Sequence, residues 1–198
     1  FAGQGQNAHP VIFVAVSKDC GKTFGNPVKL SNSLDASQGS GLAVDPTNGA
    51  VYATWRRFGS AESPPKPDQI YVSKSTDGGN TWSNQPILVA TINPYDQDAA
   101  GTAFRTLGFP TIAVSVKDGV SRVHIAWTQR KAMPTPAVPN YACASTNQAD
   151  CDARIVMATS TDGGLTWPNP VPVDDNFAVS YEASGAFTSH GRGHQVQP

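Results

Sequence analysis

Short apolar runs, set apart by polar stretches rich in glycine and proline, are the dominant pattern of this chain. Val11 to Val16, Gly41 to Asp45, Ala50 to Trp55, Gln69 to Lys74, Thr111 to Ser115, Val123 to Trp127 and Arg154 to Thr159 are short and rich in β-branched and aromatic residues. Each reads as a strand. Pro46-Thr47-Asn48-Gly49 and Lys117-Asp118-Gly119 are turn signals between successive runs. Phe1 to Pro10 and Ser31 to Ser40 read as polar loops, and Arg56 to Asp68 and Thr128 to Asp152 as long inserts.

One stretch recurs after an apolar run. Ser160-Thr161-Asp162-Gly163-Gly164-Leu165-Thr166-Trp167 is matched by Ser75-Thr76-Asp77-Gly78-Gly79-Asn80-Thr81-Trp82, and more loosely by Ser17-Lys18-Asp19-Cys20-Gly21-Lys22-Thr23-Phe24. Each copy leads into proline and an apolar residue: Pro27-Val28, Pro86-Ile87, Pro170-Val171. The aspartate can accept backbone N–H bonds of its own turn, and glycine supplies positive φ. The closing aromatic predicts an apolar plug, with Trp82 and Trp167 largely buried.

The flanking runs repeat too. Val51-Tyr52-Ala53-Thr54-Trp55 and Val123-His124-Ile125-Ala126-Trp127 share Val and Trp at the same offset. A four-strand meander, A to D, with the repeated turn joining C to D, predicts an all-β chain of four-stranded antiparallel propeller blades. Residues 1–198 then form a single segment: a blade end over 1–40, blades over 41–90 and 110–173, and the start of another over 192–198. A closed ring of six such blades takes on the order of 350–500 residues. The chain therefore reads as a partial propeller, completed by blades of a longer parent chain or of a partner chain.

Composition supports this and excludes other classes. Of 198 residues, 39% are hydrophobic and only 15% charged, with 18 Gly and 16 Pro, which suits a turn-rich β protein. A net charge of −1 without basic runs argues against a nucleic-acid or anionic-membrane surface. No stretch approaches the roughly 20 apolar residues of a membrane span. Cys143 and Cys151 flank a polar loop and are expected to form a disulfide, which favours a secreted or cell-surface location. Cys20 is expected to be unpaired and half-buried. No metal or cofactor is expected, because the cysteine spacing is not Cys-x2-Cys, and His190 and His194 read as polar loop residues.

The meander puts the long B–C and D–A connections on one face, away from the repeated turns. Long loops gathered on a rigid scaffold are where binding concentrates. The candidates there are Arg56, Arg57, Arg105, Arg130, Asp174, Asp175 and Arg192. Arg56 and Arg130 both follow strand B, so they could approach one region from adjacent blades. Guanidinium suits a carboxylate ligand, and paired carboxylates such as Asp174 and Asp175 suit glycoside hydrolysis.

The pattern Ser-x-Asp-x-Gly-x-Thr-Trp resembles the Asp-box, or bacterial neuraminidase repeat, of sialidase-like β-propellers. The resemblance implies that Asp19, Gly21, Phe24, Asp77, Gly79, Trp82, Asp162, Gly164 and Trp167 are structural, and that the substrate pocket lies on the long-loop face. It also implies a catalytic set of three arginines, a tyrosine with a glutamate, and an aspartate. The arginine-isoleucine-proline signature before the first box is absent here. Phe104-Arg105-Thr106-Leu107-Gly108-Phe109-Pro110 lies after the second box with a different spacing. Tyr181 and Glu182 are adjacent, so on an extended segment they point to opposite sides. Catalytic residues therefore stay unassigned. Two functions remain open: an extracellular glycan-binding module of a glycoside hydrolase, active only within its parent, or a non-catalytic structural or protein-binding propeller.

Overall fold

The computed structural model describes residues 9–60, 64–94, 108–130 and 153–173. Strand β1 (Phe13–Val14) pairs with β2 (Val28–Lys29). Strands β3 (Ser37–Val44), β4 (Val51–Arg57), β5 (Asp68–Ser75) and β6 (Ile87–Ile92) form a meander in chain order. A second meander follows: β7 (Thr111–Lys117), β8 (Val120–Arg130), β9 (Ala153–Ser160) and β10 (Val171–Pro172). Every pairing is antiparallel.

Several boundaries differ from the sequence expectation. Ser37 to Ser40, read as loop, is strand, because Ser37 pairs with Arg57 and Gln38 with Arg56 across a register shift before Gly41. Its serines and glycines carry no apolar alternation to betray it. Arg56 and Arg57 end β4 itself, held by pairing to Ile70 and Gln69. Thr128 to Arg130 likewise belong to β8, opposite Ile155 to Ala153. In the first sheet, ladder pairing covers less than the runs Val11 to Val16 and Pro27 to Leu30.

Strand β4 lies between two sheets, so its alternation sorts side chains to two cores. Ala53 and Trp55 pack with Ile12 and Leu30. Tyr52 joins Ile70, Val72, Val123, Ile125 and Trp127 in the larger core. Fully burying a side chain such as Ile70 is worth about 1.5–3 kcal/mol, which fixes how the sheets stack.

The three repeated turns share one hydrogen-bond pattern. The Thr81 amide and hydroxyl donate to the Asp77 carboxylate at 2.8 and 2.6 Å, and Ser75 Oγ donates to it at 2.8 Å. Thr23 and Ser17 do the same for Asp19, and Thr166 and Ser160 for Asp162. These donors, the threonine hydroxyl first, hold Asp19 and Asp77 at a pKa of about 2. Asp162 sits lower still, with the Ser160 hydroxyl as the largest cause.

Two of the three aromatic plugs pack as expected: Trp167 against the larger core and Trp82 against the smaller. Each is partly buried, and each indole N–H donates to a carbonyl of its own turn, Gly79 at 3.0 Å and Gly164 at 3.1 Å. Phe24 has no such donor and is 66% exposed. Cys20 is free but exposed rather than half-buried: it takes the positive-φ position that Gly78 and Gly163 occupy in the other copies, at the outside of the turn.

The A–B turn holds a buried aspartate. Asp45 accepts from the Thr47 amide and hydroxyl at 2.9 and 2.7 Å, from Asn48 at 3.1 Å, and from Ser121 of the next sheet at 3.0 Å. Burial opposes its ionisation, but these donors outweigh burial and lower its pKa. The Ser121 bond ties two sheets at this end.

Candidate functional site

The loop end of β4 concentrates charge. Arg56 is fully buried, and its Nε and Nη2 donate to Asp68 Oδ1 at 2.8 and 2.6 Å. Its Nη1 donates to the Gly108 carbonyl at 3.2 Å, and its guanidinium carbon lies 4.3 Å from the Phe58 ring centroid. Strand alternation turns Arg56 toward the next sheet, so it reaches the connection that precedes β7. The expected loop arginine is therefore a strand arginine, engaged inside the protein and linking β5 to that connection.

Arg57 points the other way, toward the first sheet. Its Nη2 donates to the Pro67 carbonyl at 2.7 Å, and Nη1 lies 3.9 Å from Asp35. Lys66 Nζ donates to Asp35 at 2.8 Å. The guanidinium carbon stands 5.9 Å from the Tyr71 ring centroid, and Tyr71 stacks on Trp55 at 6.3 Å. These groups form one end of a cleft of about 450 Å³ between the first and second sheets, which Lys29, Ser31 and Ser37 also line. Ser37 Oγ and Arg57 Nε are buried and have no hydrogen-bond partner.

The backbone of Arg130 is placed opposite Ala153 at the loop end of β8. By register Arg130 corresponds to Phe58, not to Arg56, since Thr128 pairs with Ile155 as Arg56 pairs with Ile70. Arg105, Asp174, Asp175, Arg192, Cys143 and Cys151 lie outside the described residues, as do His190, His194, Tyr181 and Glu182. Among the described residues there is no cluster of three or more His, Cys, Asp or Glu side chains suited to a metal ion. None of their helices is long and apolar enough to cross a membrane. Sequence reasoning missed Asp35, Ser37 and Tyr71. Tyr71 had a signal, since its alternation with Ile70 and Val72 puts it on the opposite face, but the two loop-side residues had none.

These sheets define the class of the protein: all-β, a partial β-propeller of four-stranded antiparallel blades. The same fold occurs in the Hadza microbial sialidase Hz136, which matches with a TM-score of 0.51 at 15% identity, over 84% of this chain and 32% of that one. In sequence the chain is 28% identical over 157 residues to a sialidase of Micromonospora viridifaciens, a match covering 73% of this chain and 21% of that protein. It is 29% identical over 106 residues to a sialidase of Bacteroides fragilis (strain YCH46), covering 54% and 18%. No family model matches the chain. The chain is thus sialidase-like, and spans about a fifth of the length of the curated relatives it matches.

Proposed function

We propose that this chain is a segment of a sialidase-like propeller in a longer extracellular protein, whose long-loop face binds glycan and takes part in hydrolysing glycosidic bonds. The observation that carries this reading is the similarity to two sialidases, one of them over 157 residues. The long-loop face is also where β4 and β8 end in arginines. In this reading Arg105, Arg130, Arg192, Asp174 and Asp175 are the candidates for contacting an acidic sugar. Arg56 braces the rim through Asp68. The extracellular location rests on the expected Cys143–Cys151 bridge, and the Asp-box turns serve as structural hairpins.

The engagement of Arg56 within the protein favours a second reading, a non-catalytic propeller that binds protein or only supports its neighbours. The two separate in the full-length protein. Sialoside cleavage and glycan binding are measured for the parent and for Arg105→Ala and Arg130→Ala. The first reading expects losses of roughly 10-fold or more in each variant, the range for a hydrogen bond to a charged group. A parent that neither cleaves nor binds sialosides sinks it in favour of the second.

A further inference from the structure

We infer that the cleft between the first and second sheets is a binding subsite for a neutral pyranose unit of a glycan, separate from the acidic-sugar site proposed above. The inference rests on the glycan-binding reading and assigns a second place on the same module. Its starting point is a pair of buried polar atoms on two paired strands. Ser37 and Arg57 are cross-strand partners of β3 and β4, and both line the cleft. Ser37 is 2% exposed, and neither its Oγ nor Arg57 Nε has a hydrogen-bond partner. A buried hydroxyl and a buried N–H without partners are unfavourable and uncommon, and they mark a place for an incoming polar atom.

The surroundings narrow the ligand. The Arg57 side chain is 12% exposed, and its Nη2 is turned to the Pro67 carbonyl. One guanidinium donor is thus committed within the protein, which leaves less of it for a two-donor grip on a carboxylate. The unpartnered Nε fits one hydroxyl oxygen, with Ser37 Oγ as the second partner of that hydroxyl. Asp35, held by Lys66 at 2.8 Å, is an acceptor for a neighbouring hydroxyl. Tyr71 and its stacked cross-strand neighbour, the buried Trp55, give an apolar wall. One apolar face with hydroxyl partners at its edge is the chemistry of a neutral pyranose ring. The volume, about 450 Å³, falls among small-molecule pockets.

The test uses the full-length protein. Lactose and methyl β-glucoside serve as neutral probes and N-acetylneuraminic acid as the acidic one, followed by titration and by NMR contacts between sugar protons and the Tyr71 ring. A neutral probe is expected to contact Tyr71. Ser37→Ala removes an unpartnered hydroxyl, so thermal stability should hold or rise while neutral-sugar affinity falls roughly 3- to 10-fold, the worth of one hydrogen bond. Tyr71→Leu should abolish the ring contact and weaken the same probe. Neutral-sugar binding that is absent, or that Ser37→Ala and Tyr71→Leu leave unchanged, overturns the subsite. If sialoside binding persists in that case, the glycan reading stands without the cleft; loss of both probes in the parent removes both.

Discussion

The hydroxyl of Tyr52 donates to the carbonyl of Gly163 at 3.2 Å, across the boundary between two blades. The next residue of the turn, Gly164, lies so close that an added Cβ would be 3.0 Å from Tyr52 Cε1, at φ +84°. Gly79 repeats this one blade earlier, where a Cβ would be 2.9 Å from Val16 Cγ2. The repeated turn therefore works as a seat between blades as well as a hairpin. A glycine that lacks Cβ lets the turn of one blade touch a strand of the blade before it.

Gly164→Ala is expected to be destabilising by at least about 1–3 kcal/mol, the cost of overpacking a filled site, on top of the strained backbone. Tyr52→Phe should cost only about 0.5 kcal/mol, at the low end for one hydrogen bond, because Lys74 Nζ also donates to Gly163 O at 3.0 Å. Urea denaturation of both variants checks the order. Equal effects would remove the seat.

Asp19 and Asp77 are held at about 2, against an ordinary 3.8, and Asp45 and Asp162 are also lowered. A carboxylate whose folded pKa lies below its unfolded value adds stability that is complete above the unfolded value. That stability should be present above about pH 4 and fall away between about pH 4 and pH 2. Melting temperature followed from pH 6 to pH 2 should drop in this window. In Asp77→Asn the drop should be smaller, and a profile as steep as the parent's would count against the turn carboxylate.

Asp68→Asn removes the carboxylate charge that the buried Arg56 guanidinium contacts through Nε and Nη2. Breaking a buried pair on one side costs about 3–5 kcal/mol, so this variant should unfold at much lower denaturant. Arg56→Ala is likewise expected to act on stability before it acts on any ligand. Urea midpoints near the parent's for both variants would show that the pair does not hold β5 to the connection before β7.

Cys20 stands at φ 60° where the other two copies place glycine. Left-handed backbone costs a side-chain-bearing residue about 1–2 kcal/mol, and glycine returns about half of that in chain entropy. Cys20→Gly should therefore be stabilising by roughly 0.5–1 kcal/mol in a thermal melt. Titrating the unreduced, unfolded chain should give one thiol in the parent and none in Cys20→Gly. Three thiols in the parent would remove the Cys143–Cys151 bridge and with it the main support for an extracellular location.

The strand-and-turn pattern was legible because most strands carry an apolar run and each repeated turn writes its hydrogen bonds in local residues. Asp77 and Thr81 are four apart, so the sequence alone specifies their contact. Arg56 and Gly108, and Tyr52 and Gly163, are far apart in the chain, and only the stacking of sheets brings them together, while Ser37 meets Arg57 through the pairing of β3 with β4. Stacking decided that Arg56 is buried and that Arg57 faces a cleft, and strand pairing decided that Ser37 belongs to β3. The sequence by itself determined an all-β repeat with structural aspartate turns. Which arginine is bound up in the scaffold depends on strand alternation between two neighbouring sheets, and only the tertiary structure settles that.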